Sequence, residues 1–193
     1  MKSFREKYKS DMTSQNGENG IIQEVITRIW DKPFAECFGR AIEFGAPTKQ
    51  YCSNIFPLGE KWSKYYYDIS PNEPGITKVE ITPDNVNYII RDCEVLSIDI
   101  DNNDYNVWAA YNESPDIVII EVNSSVPPPI EMIPTGSGSS YMSMLHLGLS
   151  KGYFLLCHTG NMIFVLNAYR HLFPEIIGDG IWNFSEYFNT EFL

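Results

Sequence analysis

In the stretch "VLSIDIDNNDYNVW" (95–108), Val95, Leu96, Ile98 and Ile100 read as a buried β-strand, yet Asp99 and Asp101 interrupt it. An ionised carboxylate inside an apolar run is costly unless it is paired, hydrogen-bonded or bound to a cation. Acids also sit at the ends of other apolar runs: Glu43 in "AIEFGA", Asp68 in "YYYDI" and Glu121 in "IIEVN". Such groups can act as general bases, accept hydrogen bonds from ligand hydroxyls, or hold a hard divalent cation. Alternation along an extended chain puts Asp99 and Asp101 on the same side of their strand. Asp101, Asn102 and Asn103 are equally residue types that cap a following helix, and that reading stays open beside the functional one.

Other chemistries are excluded by spacing. Asp99, Asp101 and Asn103 match the first three ligand positions of an EF-hand loop. Asp104 then replaces the required glycine, and Ala110 stands where the bidentate glutamate belongs. No nucleophile-elbow, phosphate-loop or HExxH pattern occurs. The three histidines, His146, His158 and His171, show no ligand spacing and read as ordinary structural residues. Cys37, Cys52, Cys93 and Cys157 form no CxxC pair and, without a signal peptide, read as reduced thiols of a cytosolic protein.

Charge narrows the partners. A formal net charge of −11 with no block of Lys or Arg argues against a nucleic-acid backbone and favours neutral or cationic small ligands. The longest apolar run, around "GYFLLC", is too short to span a bilayer. The 193 residues suit one domain over 14–193, with a polar, loosely attached segment at 1–13.

The elements that position the acids follow from periodicity. Ile21, Ile22, Val25, Ile26 and Ile29 predict a helix over 18–30. Strands are expected at 41–47, 64–69, 76–81, 95–100 and 116–122, with helices at 83–92 and 104–111. Thr82 and Pro83 suit the start of the first of these two helices. "SSYMSMLHLGLSKG" reads as a helix capped by Ser139 or Ser140 and stopped by Gly152, and 153–166 as a hairpin turning at Thr159-Gly160. Alternating strands and helices closed by a hairpin imply an α/β fold: a mostly parallel sheet with helices on its faces. Only "SPNEPG" separates the second and third strands. Either their crossover helix is trimmed away or the two pair antiparallel.

The ordered segments "SQNGENGII", "IEFGA…SNIF", "ITPDNVNYII", "LSIDIDNNDYNVW", "IVIIEVN" and "GSSYMSMLHLGLSKGYFLL" resemble the FkbM-like group of S-adenosylmethionine-dependent methyltransferases, from about Ser14 to Pro174. The resemblance implies a Rossmann-like class I methyltransferase fold whose last two strands form an antiparallel hairpin. It further implies that Glu43, Gly45, Ala46 and Asn54 face the methionine part of S-adenosylmethionine, with Asp68 on its ribose hydroxyls. Asp99, Asp101 and Glu121 would be catalytic, with Asp99 and Glu121 holding a divalent cation such as magnesium, and Asn123 beside them. The acceptor would be a hydroxyl of a sugar or similar small polar molecule, bound under the Pro-rich loop 126–138.

The chain departs from that pattern in particular places. Pro47-Thr48-Lys49 follows "EFGA" where relatives carry Asp-Gly, Asn102-Asn103 replaces a glycine-bearing Asp-Gly-Asn-Asp, and Asn19 stands where aspartate is usual. A proline removes an N–H donor, and a missing glycine removes freedom for close backbone approach. Two readings therefore stand: an active O-methyltransferase, or a degenerate relative serving as a binding or assembly module. A nucleotide-sugar transferase using "DID" as its metal motif would need a nucleotide-binding half ahead of it, which residues 1–98 do not supply.

Overall fold

The strands form where β-branched and aromatic residues run without a polar break. β4 (Val95–Ile98) is buried at every position, and β5 (Ile117–Glu121) at every position but its last, as strands covered on both faces must be. On one side of this pair lie β1 (Gly39–Phe44), β2 (Trp62–Asp68) and β3 (Thr77–Lys78); on the other lie β6 (Tyr153–His158) and β7 (Asn161–Leu166). The computed structural model describes residues 3–133, 138–181 and 184–188. Its seven strands are ordered β3-β2-β1-β4-β5-β7-β6. Neighbours from β3 to β5 are parallel, whereas β7 runs antiparallel to both β5 and β6. The chain is thus a mixed α/β protein with a mostly parallel sheet, a C-terminal antiparallel hairpin and flanking helices.

Side-chain alternation splits the core into two layers. Ile42, Leu96, Ile98, Val118 and Ile120 face α3 (Val86–Ile89), α4 (Asp104–Ala110) and α5 (Tyr141–Ser150). Ala41, Val95, Ile117 and Ile119 face α1 (Phe4–Tyr8) and α2 (Glu18–Trp30). The helical stripe expected of α2 is the buried one: Ile21, Ile22, Val25 and Ile26 are at most 1% exposed, each stabilising the packed state by about 1.5–3 kcal/mol. Ser140 caps α5 by accepting from the Ser143 amide at 3.3 Å. Gly148 lets that helix lie close on β7, since a Cβ there would come within 2.4 Å of the Phe164 ring.

Three expectations change. The segment 1–13 carries α1, whose Phe4 is buried with its ring 5.9 Å from that of Phe173. The helix expected over 83–92 shrinks to the four residues of α3, because Ile90 turns extended to enter the core ahead of β4. The third strand is two residues long and parallel to β2, which settles the "SPNEPG" question. It pairs only Tyr67 with Thr77 and Asp68 with Lys78, so the chain backtracks about 7 Å and needs no crossover helix. No helix among the described residues is long and apolar enough to cross a membrane.

At Gly45 the chain leaves β1 with φ +75°, and a Cβ there would lie 1.4 Å from the Asp99 carbonyl oxygen. Gly45→Ala is therefore expected to lower stability by about 2–4 kcal/mol, read as a shift in the urea midpoint. An unchanged midpoint would mean that β1 and β4 can separate at this point.

Candidate functional site at the carboxyl ends of the parallel strands

The chain leaves β1 toward β2 on one side and leaves β4 toward β5 on the other. In open α/β sheets ligands bind beyond the carboxyl ends of the strands at such a reversal. Two cavities open here. One, of about 490 Å³, lies on the β5 side between Asn54, Glu121, Asn123, Ser124 and the hairpin turn at Gly160. The other, of about 510 Å³, lies on the β2 side between Gly45, Pro47, Asp68 and Ile81. Asp99 and Asp101 line both, so the wall between the cavities is the pair of acids that interrupted the apolar run.

Asp101 and Asn102 both adopt left-handed backbone, φ +51° and +92°, a sparsely populated region for residues other than glycine. Asp104 stabilises this turn. Buried at 1% exposure, it accepts from the Ile100 amide at 2.9 Å through Oδ1. Asn103 occupies the N-cap position of α4 without a side-chain cap, so capping does not account for Asp101 or Asn102.

Ligand atoms of Asp99, Asp101 and Glu121 all lie within 4.8 Å of one another. Burial, followed by repulsion from Asp104 and Asp101, pushes the Asp99 carboxyl up to about 6. Burial and the charge of Asp99 push Glu121 up to about 8. The interaction with Glu121 offsets part of the rise at Asp99 while Asp99 adds to the rise at Glu121, so of the two acids Glu121 is the one that favours protonation. No Lys or Arg lines either cavity among the described residues. The acids shared by the two cavities offer hydrogen-bond acceptors and negative charge.

Glu43 lies beneath this wall and lines neither cavity. Ser53 Oγ donates to its Oε2 at 2.5 Å, and the Asn54 amide donates to its Oε1 at 2.7 Å. Burial still outweighs these bonds and raises Glu43 to about 7. Its role is to fix residues 53–54, so that Asn54 is presented to the β5-side cavity. Asn54 Nδ2 donates to Ser97 Oγ at 3.1 Å, and its Oδ1 is buried without a hydrogen-bond partner. Ala46 is buried and lines neither cavity.

On the β2 side, Asp68 accepts from the Ser70 amide at 2.5 Å through Oδ1. The segments in which the sequence departs from its resemblance grip each other here. The Lys49 amide donates to Glu73 Oε1 at 2.6 Å, Lys49 Nζ to the Pro74 carbonyl at 2.6 Å, and the Asn72 amide to the Pro47 carbonyl at 2.8 Å. The loop after β1 therefore spends its Lys49 donor on the β2–β3 connection, and Pro47 has none to give.

Several contributors were not singled out from the sequence. Glu18, fully buried, accepts from Thr159 Oγ1 at 2.7 Å and from the Asn16 amide at 2.9 Å, tying the loop before α2 to the hairpin turn. Asn19 Oδ1 accepts from the amides of Met12, Thr13 and Ser14, which explains why segment 1–13 is held down. Ser124, on the cavity wall, contacts His158. The only signal for Glu18 was an unusually polar start to an amphipathic helix, and Asn19 stood out only as a departure from the resemblance. Of the loop expected over the acceptor, residues 134–137 lie outside the described residues. Compared with family models, curated proteins and solved structures, the chain matches none.

The raised acids set a pH dependence. Their folded-state pKa values exceed the unfolded ones, 3.8 for Asp99 and 4.5 for Glu121, so the folded protein holds protons that the unfolded chain releases. Their contribution is most favourable below the unfolded values and is lost as pH rises toward about 8. Glu121→Gln removes part of this loss. Urea unfolding at a series of pH values should show the variant gaining on the wild type as pH rises from about 4.5 to 8. A difference that does not vary with pH would mean that Glu121 is not held protonated.

Proposed function

We propose that this protein is an S-adenosylmethionine-dependent O-methyltransferase of Rossmann-like class I architecture, acting on a hydroxyl of a sugar or other small polar acceptor. The observation that carries the reading is the shared wall: two cavities meet at Asp99 and Asp101, beyond the strands where the chain direction reverses. Group transfer needs two adjacent compartments with a base between them. The β3-β2-β1-β4-β5 order and the terminal antiparallel hairpin support the architecture.

The residues present fit such ligands. In the β2-side cavity the Asp68 carboxylate stands at the strand end where ribose hydroxyls need an acceptor, and Tyr67, Val79 and Ile81 supply apolar surface for a base. A cationic sulfonium suits walls without Lys or Arg. Bound there, S-adenosylmethionine would supply an electrophilic methyl group. Asp99 or Glu121, in its ionised form, would be placed to take the proton of the acceptor hydroxyl. The oxygen-only donor set of Asp99, Asp101 and Glu121 also fits a hard divalent cation such as magnesium, which would lower the cost of the developing alkoxide.

One observation favours the second reading, a degenerate relative that binds without turning over. The donors of the loop after β1 are absent at Pro47 and spent at Lys49, so less is left to hold the polar tail of the methyl donor. Calorimetric titration of S-adenosylhomocysteine, with and without magnesium, separates the two. The methyltransferase reading expects micromolar affinity, weakened about 10- to 100-fold by Asp68→Ala. No heat and no thermal shift at millimolar ligand would overturn it in favour of the binding module.

A further inference from the structure

His158 ends β6 with none of its surface exposed, although its neighbour in the fold, Ser124, stands on the wall of the β5-side cavity. Ser124 Oγ and His158 Nε2 are 3.0 Å apart. The ring is clamped. It stacks on Phe188 with centroids 4.9 Å apart and planes 12° from parallel, while Tyr141 meets it edge-on at 5.8 Å. Desolvation by this aromatic shell, with the charge of Arg5 acting in the same direction, pushes the imidazole down to about 4, so it is neutral at physiological pH.

A neutral imidazole carries one N–H. The hydrogen bond with the Gly160 backbone favours the protonated ring, so the ring donates there. Nε2 is then the acceptor, and the Ser124 hydroxyl must point its proton inward. That leaves only oxygen lone pairs for the cavity. A serine on a surface rotates to suit any partner; this one has its polarity fixed by a buried histidine.

A Ser–His pair also suggests a nucleophile, but two features argue against that. The ring is too weak a base to take the serine proton near neutral pH. The same cavity is lined by Asp99, Asp101 and Glu121, which would repel the oxyanion that attack on a carbonyl generates.

We infer that Ser124, oriented by His158, is a specificity-determining acceptor that receives a hydrogen bond from a hydroxyl of the ligand in the β5-side cavity. His158 is the positioning residue. The inference rests on reading that cavity as the acceptor side of a methyltransferase. With Asp99, Asp101, Glu121, Asn54 and Asn123 lining the same cavity, it selects a ligand carrying several hydroxyls over one that offers only acceptors, such as a phosphate ester.

The test uses the full chain labelled with ¹⁵N-histidine, with His158 assigned by the signal lost in His158→Gln. The probes are D-glucose, D-mannose, D-xylose and N-acetyl-D-glucosamine, titrated with and without S-adenosylhomocysteine. The expected result is a neutral His158 at pH 7 whose Nε2 signal moves with at least one sugar. Ser124→Ala should weaken that sugar about tenfold, and Ser124→Thr, which keeps the hydroxyl, should retain it within about threefold. A protonated His158 at pH 7 overturns the inference. So does a sugar bound equally well by Ser124→Ala, or a series in which no sugar moves the signal. Calorimetry of S-adenosylhomocysteine on the same samples reads the methyl-donor side separately, so its failure is distinguishable from that of Ser124.

Discussion

The arrangement of the site depends on one close backbone contact. The Gly45 amide donates to the Tyr67 carbonyl at 3.0 Å, and the Asp99 amide donates to the Phe44 carbonyl at 3.3 Å. Three parallel strands thus stay joined to their last residue, and only glycine fits the space left at the junction. Beyond it a cavity lies on each side of Asp99. With a side chain at position 45, β1 and β4 would have to part earlier and the shared wall would lose its base.

That wall is electrostatically expensive, and the structure distributes the cost. Burial and the charge of Asp99 favour protonation of Glu121, Asp104 is folded back on the Ile100 amide, and Glu43 is satisfied by Ser53 and Asn54. None of these acids is neutralised by Lys or Arg among the described hydrogen bonds and ion pairs of the site. A ligand that brings a positive charge or several hydroxyl protons relieves repulsion that the folded protein otherwise carries. Binding and deprotonation are therefore linked: a cation seated among Asp99, Asp101 and Glu121 would favour their charged forms.

Much of this was legible in the sequence because strand ends and helix stripes are local signals. The apolar runs at 95–98 and 117–121, the hairpin turn at Thr159-Gly160 and the buried stripe of α2 all follow from periods of 2 and 3.6. The grouping of Asp99, Asp101 and Glu121 came with the resemblance, since parallel strands alone gather Glu43 and Asp68 on the same rim. Glu43 illustrates the limit. Alternation placed it at the right strand end but could not tell a carboxylate aimed at a ligand from one turned under the wall to hold Ser53 and Asn54. The Ser124–His158 contact, across 34 residues, had no local signature at all. Nor did the burial of Phe4, which depends on Phe173 from the far end of the chain.

The two departures that seemed separate in the sequence are one structural device. The connection at 69–76 between β2 and β3 carries no helix to pack it. Lys49 and Pro47 replace that packing with three hydrogen bonds to Asn72, Glu73 and Pro74. A flexible glycine at position 47 or 48 would have kept backbone donors available to a ligand but left the shortened connection unsupported. These bonds brace the loop after β1 against the β2–β3 connection beside the β2-side cavity. On the β5 side, Asn54 and Ser124 are held by buried partners, Glu43 and Ser97 for the first and His158 for the second.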